Sequence, residues 1–203
     1  MSFVLLNNPL LSTIQDAGRK NLTHLGITNS GVMDMYAYTL ANQLLSNKPN
    51  TNILEIYHGN ITLQVNKNTI IAFTGAHTYI TLNNNPIKMY QSYKIKKGDT
   101  LKIGKTIRGL ITYMSVKGGF DLKKHMGSNS TTIKEQIGGI TGLKLQKGDI
   151  LPYDSVNTFI HKRIQAKFIP NYPGLFKNLC QSGKIKNTKG HRDEDRNRCR
   201  TIC

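Results

Sequence analysis

Residues 52–73, NILEIYHGNITLQVNKNTIIAF, decide the fold class. Three short runs rich in Ile, Leu, Val, Thr and Tyr, at 52–57, 61–65 and 69–73, follow one another closely, the first two parted by His58-Gly59-Asn60. β-Branched and aromatic residues between Gly and Asn turn signals read as strands. The pattern spreads outward in both directions, to 3–6 and 12–15 on one side and to 79–82, 91–95, 100–103 and 110–116 on the other. Asn83-Asn84-Asn85-Pro86, Lys97-Gly98-Asp99 and Lys117-Gly118-Gly119 supply further turn chemistry between them. Many short strands at close spacing predict a mainly β chain, closed as a barrel or packed as a sandwich.

One segment departs from this. In residues 23–47, THLGITNSGVMDMYAYTLANQLLSN, apolar side chains fall at Met33, Ala37, Leu40, Ala41, Leu44 and Leu45, the stripe of a helix buried on one face. A helix over about 33–46 is therefore expected, with Ser30 or Asp34 capping its start and Ser46-Asn47-Lys48-Pro49 stopping it. A weak internal echo, KIKKGDTLKI at 94–103 and KLQKGDILPY at 144–153, reads as hairpin chemistry in which Gly takes a positive φ.

The chain has 203 residues, 38% of them apolar, enough for a core. Its formal charge of +17 invites a nucleic-acid reading. The cations are nevertheless spread over turns and strand faces without interleaved aromatics, so they read as solvated surface and nucleic acid is not the expected partner. With no signal-peptide pattern and no long apolar run, the chain is expected to be cytoplasmic, without a membrane partner. After Phe176 the character changes. Four Arg crowd the last twelve residues, and Cys180, Cys199 and Cys203 show neither metal nor disulfide spacing. The sequence thus divides into a β domain over 1–170 and a basic tail over 177–203 that is expected to be disordered.

Phosphate-loop, nucleophile-elbow and zinc-protease motifs are lacking, and the six His are scattered singly. No metal site is expected. Candidates for chemistry lie instead in small-residue loops. FTGAHT (73–78) offers Thr74 and the backbone of Gly75, SVKGGF (115–120) sets Lys117 beside Gly118 and Gly119, and MGSNSTT (126–132) supplies the hydroxyls of Ser128 and Ser130. In each, a turn that merely needs Gly and hydroxyl caps is an equally good reading. Glu55, opposite in face to Leu54 and Ile56, is either a carboxylate in the barrel lumen or a solvent-side residue. Asp34 could do no more than complement the helix dipole.

Six stretches in order, STIQDAGRKNLTHLGITNSGVMDMYAYTLANQLLSN, LEIYHGN, IAFTGA, SVKGGFD, GSNST and KGDILP, resemble the family of 5-oxoprolinase C subunits. This is the KipA-like group, also called allophanate hydrolase subunit 2, related to the carboxyltransferase domain of urea amidolyase. The resemblance implies cyclophilin-like β-barrel architecture, with most of a second barrel subdomain missing from this chain. It implies a component that acts with an A-type partner and a KipI-like B-type partner in the ATP-dependent opening of 5-oxoproline to glutamate, ATP being used by the complex and no cofactor being held covalently. It also leaves two other roles open: a regulatory protein antagonising a kinase inhibitor, and a component transferring a carboxyl group from biotin to urea. Within that resemblance Ser30, Gly31 and Met33 of the Ser-Gly-x-Met-Asp loop are expected to wall a small-molecule cleft. Ser30, Thr74 and Gly75 would bind the lactam carbonyl and Lys117 would balance anionic charge. Asp34 and Glu55 would orient these groups or handle a proton.

Overall fold

The computed structural model describes residues 2–156 and 160–174, so the expected tail over 177–203 and all three cysteines lie outside the described residues. Among these, nine strands form one antiparallel sheet: β1 (Ser2–Leu5), β2 (Leu11–Gln15), β3 (Ile53–Tyr57), β4 (Ile61–Val65), β5 (Thr69–Leu82), β6 (Asn85–Ile87), β7 (Ser92–Ile95), β8 (Thr100–Val116) and β9 (Ile150–Pro152). A single α-helix among the described residues, α1 (Met35–Leu44), packs on it. The mainly β fold with one packed helix is thus as the sequence indicates, and the sheet curls as an incomplete barrel.

Two strands are longer than the local pattern suggests. Residues 69–73 and 79–82 are one strand, β5, and residues 100–103 and 110–116 are one strand, β8. β8 is the spine. Along one edge it pairs with β5, from Ile71↔Val116 to Leu82↔Leu101, and along the other with β4 (Ile61↔Ile103) and then β3 (Leu54↔Met114). The FTGAHT segment expected as a loop is therefore inside β5, where Thr74 and Gly75 are buried.

Both faces of this sheet are covered, which explains eight consecutive buried residues at the start of β5. The inner face carries the main core: Phe3, Leu54, Ile56, Leu63, Ile71, Phe73, Met114 and Leu151, with Tyr153 tilted on Phe3 at 4.5 Å between ring centroids. On the outer face Ala37, Tyr38 and Ala41 of α1 pack on Ile53 and Tyr113, and Leu44 and Leu45 pack on Ile70 and Ala72. Burying each of the Leu and Ile side chains among these stabilises by roughly 1.5–3 kcal/mol and each Ala by less, which together hold α1 in place. Both Gly-Asp turns behave alike: Gly98 and Gly148 have φ of 92° and 93°, and Asp99 and Asp149 accept from the N–H groups of Lys96 (2.7 Å) and Gln146 (2.8 Å). Among the described residues no helix is long and apolar enough to cross a membrane.

Candidate functional site

The start of α1 is fixed by the loop before it. Asp34 is the N-cap, its Oδ1 accepting from the Ala37 N–H at 2.9 Å. Ser30, the other candidate cap, instead has φ +55° and donates its hydroxyl to the Thr131 carbonyl at 2.8 Å. From Gly31 to Asp34 every backbone N–H has a partner inside the protein. Gly31 donates to Gln15 Oε1 (3.2 Å), Val32 to the Asp16 carbonyl (3.0 Å), Met33 to Glu55 Oε2 (3.0 Å) and Asp34 to the Tyr113 hydroxyl (2.8 Å). The loop donors are fixed, as expected, but they are spent on the scaffold and do not form an open anion cradle. Gly31 lies directly on Gly18: a Cβ on Gly18 would sit 2.6 Å from the Ser30 carbonyl oxygen, so neither position admits a side chain.

Behind this loop is a buried carboxylate that the sequence reading did not single out. Asp16 is 0% exposed, and its Oδ1 accepts from Ser128 Oγ (2.6 Å), Ser130 Oγ (2.6 Å) and the Gly18 N–H (2.9 Å), while Oδ2 accepts from the Asn129 N–H (2.7 Å). Burial alone would push its carboxyl up, but the four hydrogen bonds outweigh it and hold the group below the usual carboxylate range. Ser128 and Ser130 therefore serve Asp16 and are not free to meet a substrate. Arg19, 2% exposed, closes the network by donating to Thr132 Oγ1 and the Ser130 carbonyl, both at 2.7 Å.

Glu55 sits on the helix side of β3, away from the barrel interior that Leu54 and Ile56 fill. Its Oε2 accepts from both the Met33 N–H and the Tyr113 hydroxyl (2.8 Å), and burial pushes its carboxyl up despite those bonds. The register Glu55↔Tyr113 across β3 and β8 makes this pairing. Burial also drives the Tyr113 phenol well above its ordinary range, so it stays protonated and passes its hydrogen bond on to Glu55.

The second oxygen of Asp34 faces a different group. Tyr172 donates its hydroxyl to Asp34 Oδ2 at 2.6 Å, and the Tyr90 hydroxyl engages Gly75, donating to its carbonyl (2.8 Å) and accepting from its N–H (3.1 Å). Gly75 thus meets a phenol where an anion was expected. Burial raises Tyr90 to about 12 and Tyr172 further, so both are neutral donors at physiological pH. Thr74 lies beside them, its hydroxyl bonded to the Ala37 carbonyl in the first turn of α1 at 2.7 Å. Tyr90, Tyr172 and Gly75 line a cavity of about 420 Å³, together with His77, Arg108 and Asn171. Met33 is 78% exposed.

The structure brings Asp34, Glu55, Met33, Thr74 and Gly75 to one end of α1, with Ser30 and Gly31 next to them. It does not bring Lys117, Gly118 or Gly119 there. Lys117 Nζ donates to the carbonyls of Leu45 (2.7 Å) and Ser46 (3.1 Å), closing the far end of a ten-residue helix, roughly 15 Å away. Gly118 donates to Asn47 Oδ1 and Gly119 makes a tight turn on Val116. Tyr90, Tyr113 and Tyr172 were missed because their roles depend on register and on a distant chain segment. Asp16 alone had a local signal: Asp-x-Gly after a strand reads as a side-chain turn, and the Gly18 bond to Asp16 is that turn.

A family model for the carboxyltransferase domain, subdomains A and B, matches residues 25–195. The chain is 39% identical over 140 residues to the 5-oxoprolinase C subunit of Haemophilus influenzae, covering 69% of this chain and 45% of that one. It is 36% identical over 143 residues to the 5-oxoprolinase C subunit of Escherichia coli, covering 70% and 46%. The chain therefore spans about half the length of these relatives. Among solved structures, urea amidolyase of Kluyveromyces lactis superposes with a TM-score of 0.73 at 30% identity, over 85% of this chain and 10% of that one.

Proposed function

The chain belongs to the family of carboxyltransferase domains, subdomains A and B, and on that premise we propose that it is the C-type component of an ATP-dependent 5-oxoprolinase. The observation that carries this reading is the pair of phenols, Tyr90 and Tyr172, on a cavity of about 420 Å³, with Asp34 behind Tyr172 and bonded to it, in a chain related to the C subunits of two 5-oxoprolinases. A cavity of that size is ample for a five-membered lactam.

Opening 5-oxoproline breaks the ring C–N bond; the carbonyl carbon gains the oxygen of water and the leaving nitrogen gains a proton. The ring N–H needs an acceptor, and Asp34 Oδ2 is a carboxylate oxygen held in place by the cap on Ala37. The ring carbonyl needs a donor as charge builds on its oxygen; Tyr172 and Tyr90 are phenols kept protonated by burial, and on substrate binding each would turn its one O–H proton from its present acceptor, Asp34 Oδ2 or the Gly75 carbonyl, toward that oxygen. Glu55 and Tyr113 position the Met33 and Asp34 backbone, and Thr74 positions the first turn of α1. Nucleotide does not fit this end of α1, because the four N–H groups that would cradle a phosphate are already bonded. We assign ATP to the companion proteins of the A type and the KipI-like B type, and give this chain the task of holding substrate.

The likeness to urea amidolyase supports a second reading, carboxyl transfer to urea. One experiment tests both: ADP release by the chain mixed with its A-type and B-type partners, with 5-oxoproline in one vessel and urea with a biotin carboxylase system in another. Release that depends on 5-oxoproline is the expected result. Silence there with turnover of urea would overturn it in favour of the second reading.

A further inference from the structure

The pairing of β5 with β8 contains an irregularity that serves the cavity. Between Gly75↔Thr112 and Ile80↔Ile103, β5 advances five residues while β8 advances nine. The surplus makes β8 bulge, so the alternation of buried and exposed positions breaks and two consecutive residues, Ile107 and Arg108, are both exposed. Both line the cavity that holds Tyr90 and Tyr172. The chain at 172–174 lies along the bulge: Gly109 donates its N–H to the Pro173 carbonyl at 3.0 Å, and a Cβ on Gly109 would come within 3.1 Å of Tyr172. One device thus sets Arg108 and Tyr172, the hydrogen-bond partner of Asp34, on the same small space.

We propose that Arg108 binds the carboxylate of a small cyclic acid in this cavity and selects that acid over a neutral amide. The proposal deepens the 5-oxoprolinase reading and rests on it for the identity of the acid. Among the described residues no hydrogen bond or salt bridge engages the Arg108 guanidinium, and its planar fork matches a carboxylate in two parallel bonds. Its identity as arginine is informative. Residues 1–176 hold 17 Lys and 3 Arg, so general surface charge in this chain is carried by lysine. Of the other two arginines, Arg19 is bonded within the Asp16 network and Arg163 does not line this cavity; the backbones of Arg163 and Arg108 make like bridges, with Gln91 and Gly174. Ile107, Ile169 and Tyr79 give the cavity apolar walls suited to a ring body. A small ring that carries a carboxylate on one side of its nitrogen and a carbonyl on the other can meet Arg108 and the Tyr172 side together; urea has no group for Arg108.

The test is a calorimetric titration of the full chain with 5-oxoproline and with 2-pyrrolidinone, the same ring without the carboxylate, for wild type, Arg108→Gln and Arg108→Lys, with thermal melts to show equal folding. We expect 5-oxoproline to bind wild type about 30-fold more tightly than 2-pyrrolidinone, a ratio in keeping with one charge-assisted pair. Arg108→Gln should lower 5-oxoproline to the 2-pyrrolidinone level and leave the latter unchanged, with partial recovery in Arg108→Lys. Equal binding of the two rings to wild type, binding of neither, or a preference that survives Arg108→Gln would overturn the proposal. In the reconstituted complex the same variant should raise the KM for 5-oxoproline and spare kcat. Turnover with an unchanged KM would sink the role of Arg108 while the 5-oxoprolinase reading stands. Carboxylate binding through Arg108 in a complex that never turns over 5-oxoproline would keep the site and remove that reading.

Discussion

Replacing Asp16 with Asn removes a charge that four donors surround. An asparagine can keep an oxygen where Oδ1 accepts from Gly18, Ser128 and Ser130, but its NH2 then points at the Asn129 N–H. One charge-assisted bond, about 1.5–3 kcal/mol, is lost, and a buried donor left unpaired adds about 1–3 kcal/mol. The three remaining bonds weaken because their acceptor is now neutral. The expected loss is about 3–5 kcal/mol at pH 7, or roughly 10–15 °C in Tm for a domain of this size. Urea unfolding monitored by circular dichroism measures it. The pH dependence supplies an independent check. The folded-state pKa of Asp16 lies below its unfolded value of about 3.9, so its contribution is fully present above that pH and is lost as pH falls through the folded value. The gap between wild type and variant should therefore narrow below pH 4. A loss under about 1 kcal/mol at pH 7, or a gap unchanged by acid, would refute the view that ionised Asp16 anchors the loop before α1.

The opposite sign is expected at Glu55, whose folded-state pKa is raised: its contribution is present below the unfolded value of about 4.3 and is lost as pH rises through the folded value. Glu55→Gln keeps an oxygen for Met33 and Tyr113, so its stability relative to wild type should climb between pH 4 and 8, and a flat difference would contradict burial of the charge. Asp34→Ser separates cap from chemistry, because serine caps a helix as well as aspartate does. The cap should survive, so the stability loss should stay at about 1–3 kcal/mol, that of the missing Tyr172 bond, while kcat of the reconstituted complex falls by about 10²-fold or more, and retained turnover would remove Asp34 from the reaction. Lys117→Ala should cost about 1 kcal/mol at the helix C-terminus and leave turnover within about two-fold; a hundred-fold loss of kcat would return Lys117 to the chemistry.

How much of this was legible follows from which forces act locally. The strands and α1 announce themselves because burial on one face imposes a period, and α1 lies at Met35–Leu44 within the expected 33–46. The joins within β5 and β8 were hidden because Gly75 and Gly109, which look like turn residues, sit at the irregular stretch where those long strands pair. Asp34 and Glu55 stood out as isolated acids near a helix start and in an apolar run. That Glu55 meets Tyr113, that Ser128 and Ser130 point at Asp16, and that Tyr172 reaches back to Asp34 are long-range facts, separated by 58 to 138 residues. No short window of sequence carries them. Lys117 illustrates the reverse error: a lysine next to a glycine pair looks like an anion site, yet carbonyls at the end of a helix are equally good partners and were nearer.

The seating of β1 has a kinetic consequence. Phe3 pairs with Val65 on one side and with Leu151 on the other, so β1 gains its second neighbour only after some 150 further residues have emerged. Pairings of such sequence separation slow folding, since the intervening chain must be closed into a loop first. Until then the outer edge of β1 offers unpaired backbone groups to any other strand. On the ribosome the hazardous interval for this chain ends when Ile150–Pro152 clears the exit tunnel and takes that edge.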